Sequence, residues 1–215
     1  MNSVNFKQGI VGLLMLAAVV LSACVPVVSA ASMRSADLTT HPSRGEEQLI
    51  VGSNAQVVSG VNGATINVDT NDLEPGHAYT VWFVAIDKPE NCATIPCTGK
   101  DVFGLTEEID VEVAYATGAV ADEDGSANFF AHMDPGPLPG GWFGNEFTNP
   151  NAEIHLVLMS HGPVIEGMED EMIGTLRGGC TDESVPAPFP AVAHADGEAG
   201  PNTCQLFQDV IFVQS

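Results

Sequence analysis

The sequence predicts an all-β protein, an antiparallel β-sandwich with two long loops and little helix. Three observations carry that prediction. Short apolar runs repeat with a period of two, Gly- and Pro-rich turns separate them, and no long stretch keeps a helical period. No strand–helix–strand rhythm is present, which argues against a parallel sheet. Apolar residues make up 45% of 215, enough to build the core of one domain with further segments at the ends.

The first element is a targeting segment. Lys7 supplies a short positive region and Ile10 to Val20 an apolar run too short for a comfortable membrane span. Leu21-Ser22-Ala23-Cys24 follows directly. It resembles the lipobox of bacterial lipoproteins, and the resemblance implies that Cys24 becomes the lipidated first residue of the mature chain. Cleavage after Val28-Ser29-Ala30 is the competing reading, because small residues fit there too. The expected organisation is a signal peptide over residues 1–23, a flexible tether over 24–47, and a single β-sandwich domain over 48–215.

Within the domain, "ATINVD" alternates, with Ala64, Ile66 and Val68 on one side and Thr65, Asn67 and Asp69 on the other. A Pro75-Gly76 turn precedes "YTVWFVAI" (79–86), which is apolar on both faces and predicts a central strand covered on both sides. Residues 111–133 predict a hairpin turning at Asp122-Glu123-Asp124-Gly125, with Gly118 marking a bulge. "GMEDEMIGTL" (167–176) has room for a turn or two of helix. "QLFQDVIFV" (205–213) reads as the last strand. The long loops are 134–150 and Gly178 to Thr203, and loops of that length are usually functional or pinned.

Five cysteines leave one thiol over unless Cys24 carries lipid. The other four allow three pairings, of which the local one is simplest: Cys92 with Cys97, and Cys180 with Cys204. Neither pair has the C-x2-C spacing of structural zinc sites.

"NAEIHLVLMSHGP" (151–163) carries the candidate site histidines. His155 and His161 fall on one face of a strand, but six residues apart they stand roughly 20 Å from each other, too far to share one ion. His77, His132 and His194 are other imidazoles that folding could bring near. Met133 and Met159 are candidate soft ligands, more often core filler. The acidic runs 122–125 and 169–171 lack the remaining ligands of a calcium loop. Ser160 and His161 point to opposite faces and cannot act as nucleophile and base. Trp142, Phe143 and Phe147 cluster among glycines, either as a binding platform or folded down on the end of the sandwich. His155, His161, Trp142 and Phe143 are therefore the candidate ligand-binding residues.

Two pieces, "ATGAVADEDGSANF" and "AEIHLVLMSHGPV", resemble strand segments of CHRD-type extracellular β-domains over roughly 30 residues. Glu153 stands where that family carries a second histidine. The whole domain is similar to secreted bacterial β-sandwich proteins of uncharacterised function. The resemblance implies an extracellular sandwich, immunoglobulin-like or CHRD-like.

Lys and Arg number 6 against 28 Asp and Glu, a balance that repels phosphate backbones and excludes nucleic acid as a partner. The expectation is a lipid-anchored surface module with a binding or structural role, without catalysis or cofactor. Its partners are the membrane, through the anchor, and a small molecule, glycan or protein that the sequence does not name. The alternative is a zinc or copper domain, or metalloenzyme, using His155 and His161.

Overall fold

The computed structural model describes residues 31–214 except Asn145 and Ala187. Cys24 and the competing cleavage site lie outside the described residues. The described chain is a two-sheet antiparallel sandwich. One sheet has four strands: β1 (Ser32–Ala36), β3 (Asn54–Gly60), β4 (Gly63–Thr70) and β7 (Ala127–Met133), in the order β1-β3-β4-β7. The other holds β2 (Thr39–Thr40), β5 (His77–Ile86), β6 (Val111–Val120), β8 (Glu153–Pro163) and β9 (Gln205–Phe212), in the order β2-β9-β8-β5-β6. Four short helices decorate it: α1 (Gly99–Gly104), α2 (Thr106–Ile109), α3 (Glu169–Gly174) and α4 (Ala191–His194).

Alternation decides what faces inward. Ala64, Ile66 and Val68 of β4 meet Tyr79, Val81 and Phe83 of β5 and Ile154, Leu156 and Leu158 of β8 in the core between the sheets. The outward side of the four-stranded sheet is polar, with Asn67, Asp69 and Asn128 hydrogen-bonded across β4 and β7. The outward side of the five-stranded sheet is apolar and covered. Its side chains Trp82, Val84 and Ile86 pack under α1, α2 and the two long loops, in two further clusters. The run 79–86 is thus covered on both sides, as its composition requires.

Three expectations change. Residues 32–44, assigned to the tether, are built into both sheets, β1 pairing β3 and β2 pairing β9. Their alternation was hidden because Arg34 replaces an apolar residue in β1. Its guanidinium reaches the carbonyls of Ala152 and Phe212 instead. The turn at 122–125 does not close a hairpin: β6 pairs β5 and β7 pairs β4, so the chain crosses between sheets there. Ala121 N–H donates to the His77 carbonyl and Leu73 N–H to the Gly125 carbonyl, tying each flank to its own sheet. A tight turn looks alike in sequence whether it returns to its sheet or leaves it. The bulge in β6 falls between Tyr115 and Thr117, opposite Val81 and Trp82. Gly118 serves a different purpose, since a side chain there would run into the carbonyls of Ile173 and Tyr79, where α3 lies against β6.

Two disulfides, Cys92–Cys97 and Cys180–Cys204, pin the covering segments. Their presence suggests a chain that folds in an oxidising, extracytoplasmic environment. Among the described residues no helix is long and apolar enough to cross a membrane.

Candidate functional site

The layer over the five-stranded sheet does not close completely and leaves a cleft of about 480 Å³. Its floor is two rows of residues running across the strands. In one row Asp209 of β9 lies beside Val157 of β8, and Val157 beside Trp82 of β5. In the next, Ile211, His155, Val84 and Val113 follow each other from β9 to β6. Each is an outward position of a strand whose alternate residues fill the core, so a single pleat supplies both core and floor.

The walls come from the two long loops and from the α1 segment. Trp142 is fixed over the sheet by its backbone N–H, which donates to the Val113 carbonyl at 2.7 Å. Its ring lies on Trp82, centroids 4.2 Å apart, and against Phe189 at 5.2 Å. Phe189 in turn touches Phe103, which meets Phe143. Pro96, Pro186 and Pro188 complete an apolar, aromatic enclosure, the kind of surface that takes small molecules. Both tryptophans of the chain line it. The loop 134–150 therefore folds in two directions. Trp142 lies on the outer face, while Phe147 is driven into the core against Phe83 at 5.2 Å. Phe143 bridges to Val113 and stays outside the lining of the main cleft.

Two polar groups interrupt the floor. His155, only 8% exposed, lines the cleft, and its Nε2 donates to Glu153 Oε1 at 2.8 Å. The same oxygen accepts the Cys97 N–H at 2.7 Å. Glu153 is wholly buried and orients the imidazole, leaving Nδ1 without a protein partner among the described residues. A histidine held this way can take a hydrogen bond or a proton from a bound molecule. The lining hydroxyl and thiol groups offer no nucleophile to it. Thr98 donates to Asp101, and Cys97 is in a disulfide.

The second polar group is Asp209, with Glu47 beside it and His41 on the same rim. The Thr39 hydroxyl lies 3.3 Å from Asp209 Oδ1 and 3.1 Å from Glu47 Oε1. Burial, and then the charge of Glu47, push the Asp209 carboxyl up to about 7. Burial also lowers His41 to about 4, so its ring is neutral near pH 7.

His161 has a different fate from His155. It is fully buried, with Nδ1 donating to the Gly178 carbonyl at 2.8 Å and Nε2 accepting from the Thr80 hydroxyl at 2.9 Å. Trp82 Nε1–H donates to that same hydroxyl, completing a chain from the cleft floor to the loop at Gly178. Burial lowers His161 to about 4, opposed by its bond to Gly178. Its ring is a neutral strut. The structure does not bring His155 and His161 together. Among the described residues, the group of three metal-ligating side chains with donor atoms within 4.8 Å of each other is His161, Cys180 and Cys204, and its two sulfurs are joined in a disulfide.

The other candidates resolve locally. His132 bonds Thr65 on the solvated sheet. Asp124 caps its own turn through the Ser126 N–H and hydroxyl. Glu169, Asp170 and Glu171 form the first turn of α3.

Sequence reading missed Trp82, Phe189, Glu153 and Asp209 as parts of the site. For Trp82 a signal existed: a strand apolar on both faces needs a second covering layer, and such a layer is where a cleft can open. Asp209 also left one, a carboxylate at an outward position between the apolar Leu206 and Ile211. No protein-family model, curated protein or solved structure matches the chain.

Proposed function

We propose that this protein is a lipid-anchored extracytoplasmic binding module that takes a small, largely apolar molecule into the cleft over its five-stranded sheet. The anchor is Cys24, and the acidic domain stays in water beyond the membrane. One observation carries the reading: Trp142, stacked on Trp82, and Phe189, on the segment pinned by Cys180–Cys204, wall off the floor formed by Val84, His155 and Val157, leaving about 480 Å³ that no side chain fills. A purely structural module gains nothing from such a space, because an unfilled apolar volume forfeits packing energy.

Both tryptophans line the cleft, so intrinsic fluorescence reports on it directly. Titrating the purified full-length protein with 4-phenylbutanol, a neutral apolar probe, gives a saturable change in tryptophan emission, and Trp142→Ala weakens it about tenfold. An unsaturable response, or one unaffected by Trp142→Ala, refutes the cleft as a binding site. The anchor is tested separately. Wild-type protein partitions into the detergent phase of a Triton X-114 extraction and Cys24→Ala into the aqueous phase; equal partitioning rejects lipidation at Cys24.

A further inference from the structure

The charged side chains that line the cleft are all of one sign. Five Lys and Arg lie among the described residues (Arg34, Arg44, Lys88, Lys100 and Arg177), and none of them lines it. Lys100 follows the lining residue Gly99 and is exposed, and Arg44 lies between the rim residues Pro42 and Glu47. Arg44 stacks on the Phe207 ring with its guanidinium carbon 3.8 Å from the centroid, outside the lining. The acids are Asp209 and Glu47 at one end, with Glu153 buried behind His155. Asp209 is 8% exposed and meets only the Thr39 hydroxyl among described side chains. A carboxylate so placed has lost water and gained no cation. Its upward shift reflects that cost, which a positively charged ligand would remove.

The aromatic end lies across the sheet. Asp209, Val157 and Trp82 are neighbours in one row on three adjacent strands, so the acidic and aromatic ends are two strand spacings, roughly 10 Å, apart. A ligand that satisfies both ends has a cation at one end and an apolar body of about that length. Anions are disfavoured by the same groups and by a net charge of −22.

Resting on the cleft being a binding site, the geometry points to an amphiphilic amine as its ligand class. The ammonium sits at Asp209 and Glu47, and the apolar body runs over Val157 up to the stacked Trp82 and Trp142, against Phe189. Asp209 accepts from the ammonium, and the aromatic wall buries the apolar body.

Three probes share one body and differ in head: 4-phenylbutylamine, 4-phenylbutanol and 4-phenylbutyrate. They are titrated into the full-length protein at pH 8 and followed by tryptophan emission. The expected order is amine, then alcohol, then carboxylate, with the amine bound about tenfold tighter than the alcohol. Asp209→Asn removes the amine's advantage over the alcohol measured on the same variant; the exposed Glu47→Gln removes part of it. Trp142→Ala weakens all three, which separates cleft binding from attraction of amines to an acidic surface. Equal binding of amine and alcohol overturns the amine assignment and leaves the cleft reading standing. So does an amine preference that survives Asp209→Asn, or amine binding indifferent to Trp142→Ala while the alcohol remains sensitive to it. Failure of all three probes to change the emission overturns both.

Discussion

The two outer faces of the sandwich meet opposite surroundings. On the four-stranded sheet, outward positions such as Thr65, Asn67 and Asp69 meet water and one another, and even Phe130 stands 63% exposed. On the five-stranded sheet the same pleat positions carry Trp82, Val84, Val157 and Ile211, and a second layer of loops and short helices lies over them. The first face ends the protein; the second begins a site. What separates them is whether a strand alternates or is apolar throughout, because an outward apolar row must be covered.

The comparison can be broken with matched charges. Ile86→Asp places a carboxylate under the covering layer, in a fully buried position between Glu153 and Val111, and is expected to cost about 4 kcal/mol. Val58→Asp, on the solvated face, should cost under about 1 kcal/mol. Urea unfolding of the two variants checks this, and equal losses would show that the covering layer is loose.

Removing the Cys180–Cys204 disulfide by double alanine substitution is expected to cost about 3 kcal/mol, against about 2 for Cys92–Cys97, because the loops they close span 24 and 5 residues. Loss of the longer bridge should also weaken 4-phenylbutanol binding, since Phe189 lies on the segment it pins. Denaturant midpoints and the same fluorescence titration separate the two effects.

Glu153→Ala leaves the buried Cys97 N–H without its acceptor and His155 without its orienting partner, at a cost of about 2 kcal/mol. Glu153→Gln keeps an acceptor and should recover most of that loss in thermal unfolding.

The smallest effect is pH-dependent and concerns Asp209. Its folded pKa, about 7, lies above the unfolded value near 3.8. The native state therefore holds its proton where the unfolded state has lost it. That contribution is fully present below about pH 3.8 and is lost as pH rises through 7. Asp209→Asn should gain about 1 kcal/mol over wild type at pH 8 and little at pH 4. His161 has the opposite sign. Its folded pKa, about 4, lies below the unfolded 6.5, so its stabilisation is present above pH 6.5 and lost as pH falls to 4. At pH 8 His161 makes its full contribution in both proteins, so the difference between Asp209→Asn and wild type reports Asp209.

Much of the sandwich was legible because its rule is local. Alternation in β4, the doubly apolar β5 and the turn residues each speak within a few positions. What crossed the sandwich was not legible. The turn at 122–125 carries the same residues whichever sheet receives the next strand. Residues 32–44 joined the sheets through Arg34 and the buried Leu38 rather than through an apolar run. The site divides in the same way. Trp142 and His155 stood out as residue types in suggestive segments. Their relation to Trp82, Phe189 and Asp209 depends on three strands and two loops meeting, and no local pattern encodes that. His161 looked equivalent to His155 in the sequence. The Gly178 carbonyl and the Thr80 hydroxyl, contributed by distant segments, turned it into a buried strut.

The most direct test of the binding face uses the two indole N–H signals in a ¹⁵N–¹H correlation spectrum of the full-length protein. Trp82 Nε1–H is bonded to Thr80, and Trp142 Nε1–H is buried without a partner among the described residues, so both signals should be distinct and sensitive to a molecule seated against the stacked rings. Addition of 4-phenylbutanol should move both with one common dissociation constant, while the amides of β4 and β7 stay in place. Motionless indole signals, or shifts confined to the four-stranded sheet, would contradict the assignment of the covered face as the binding site.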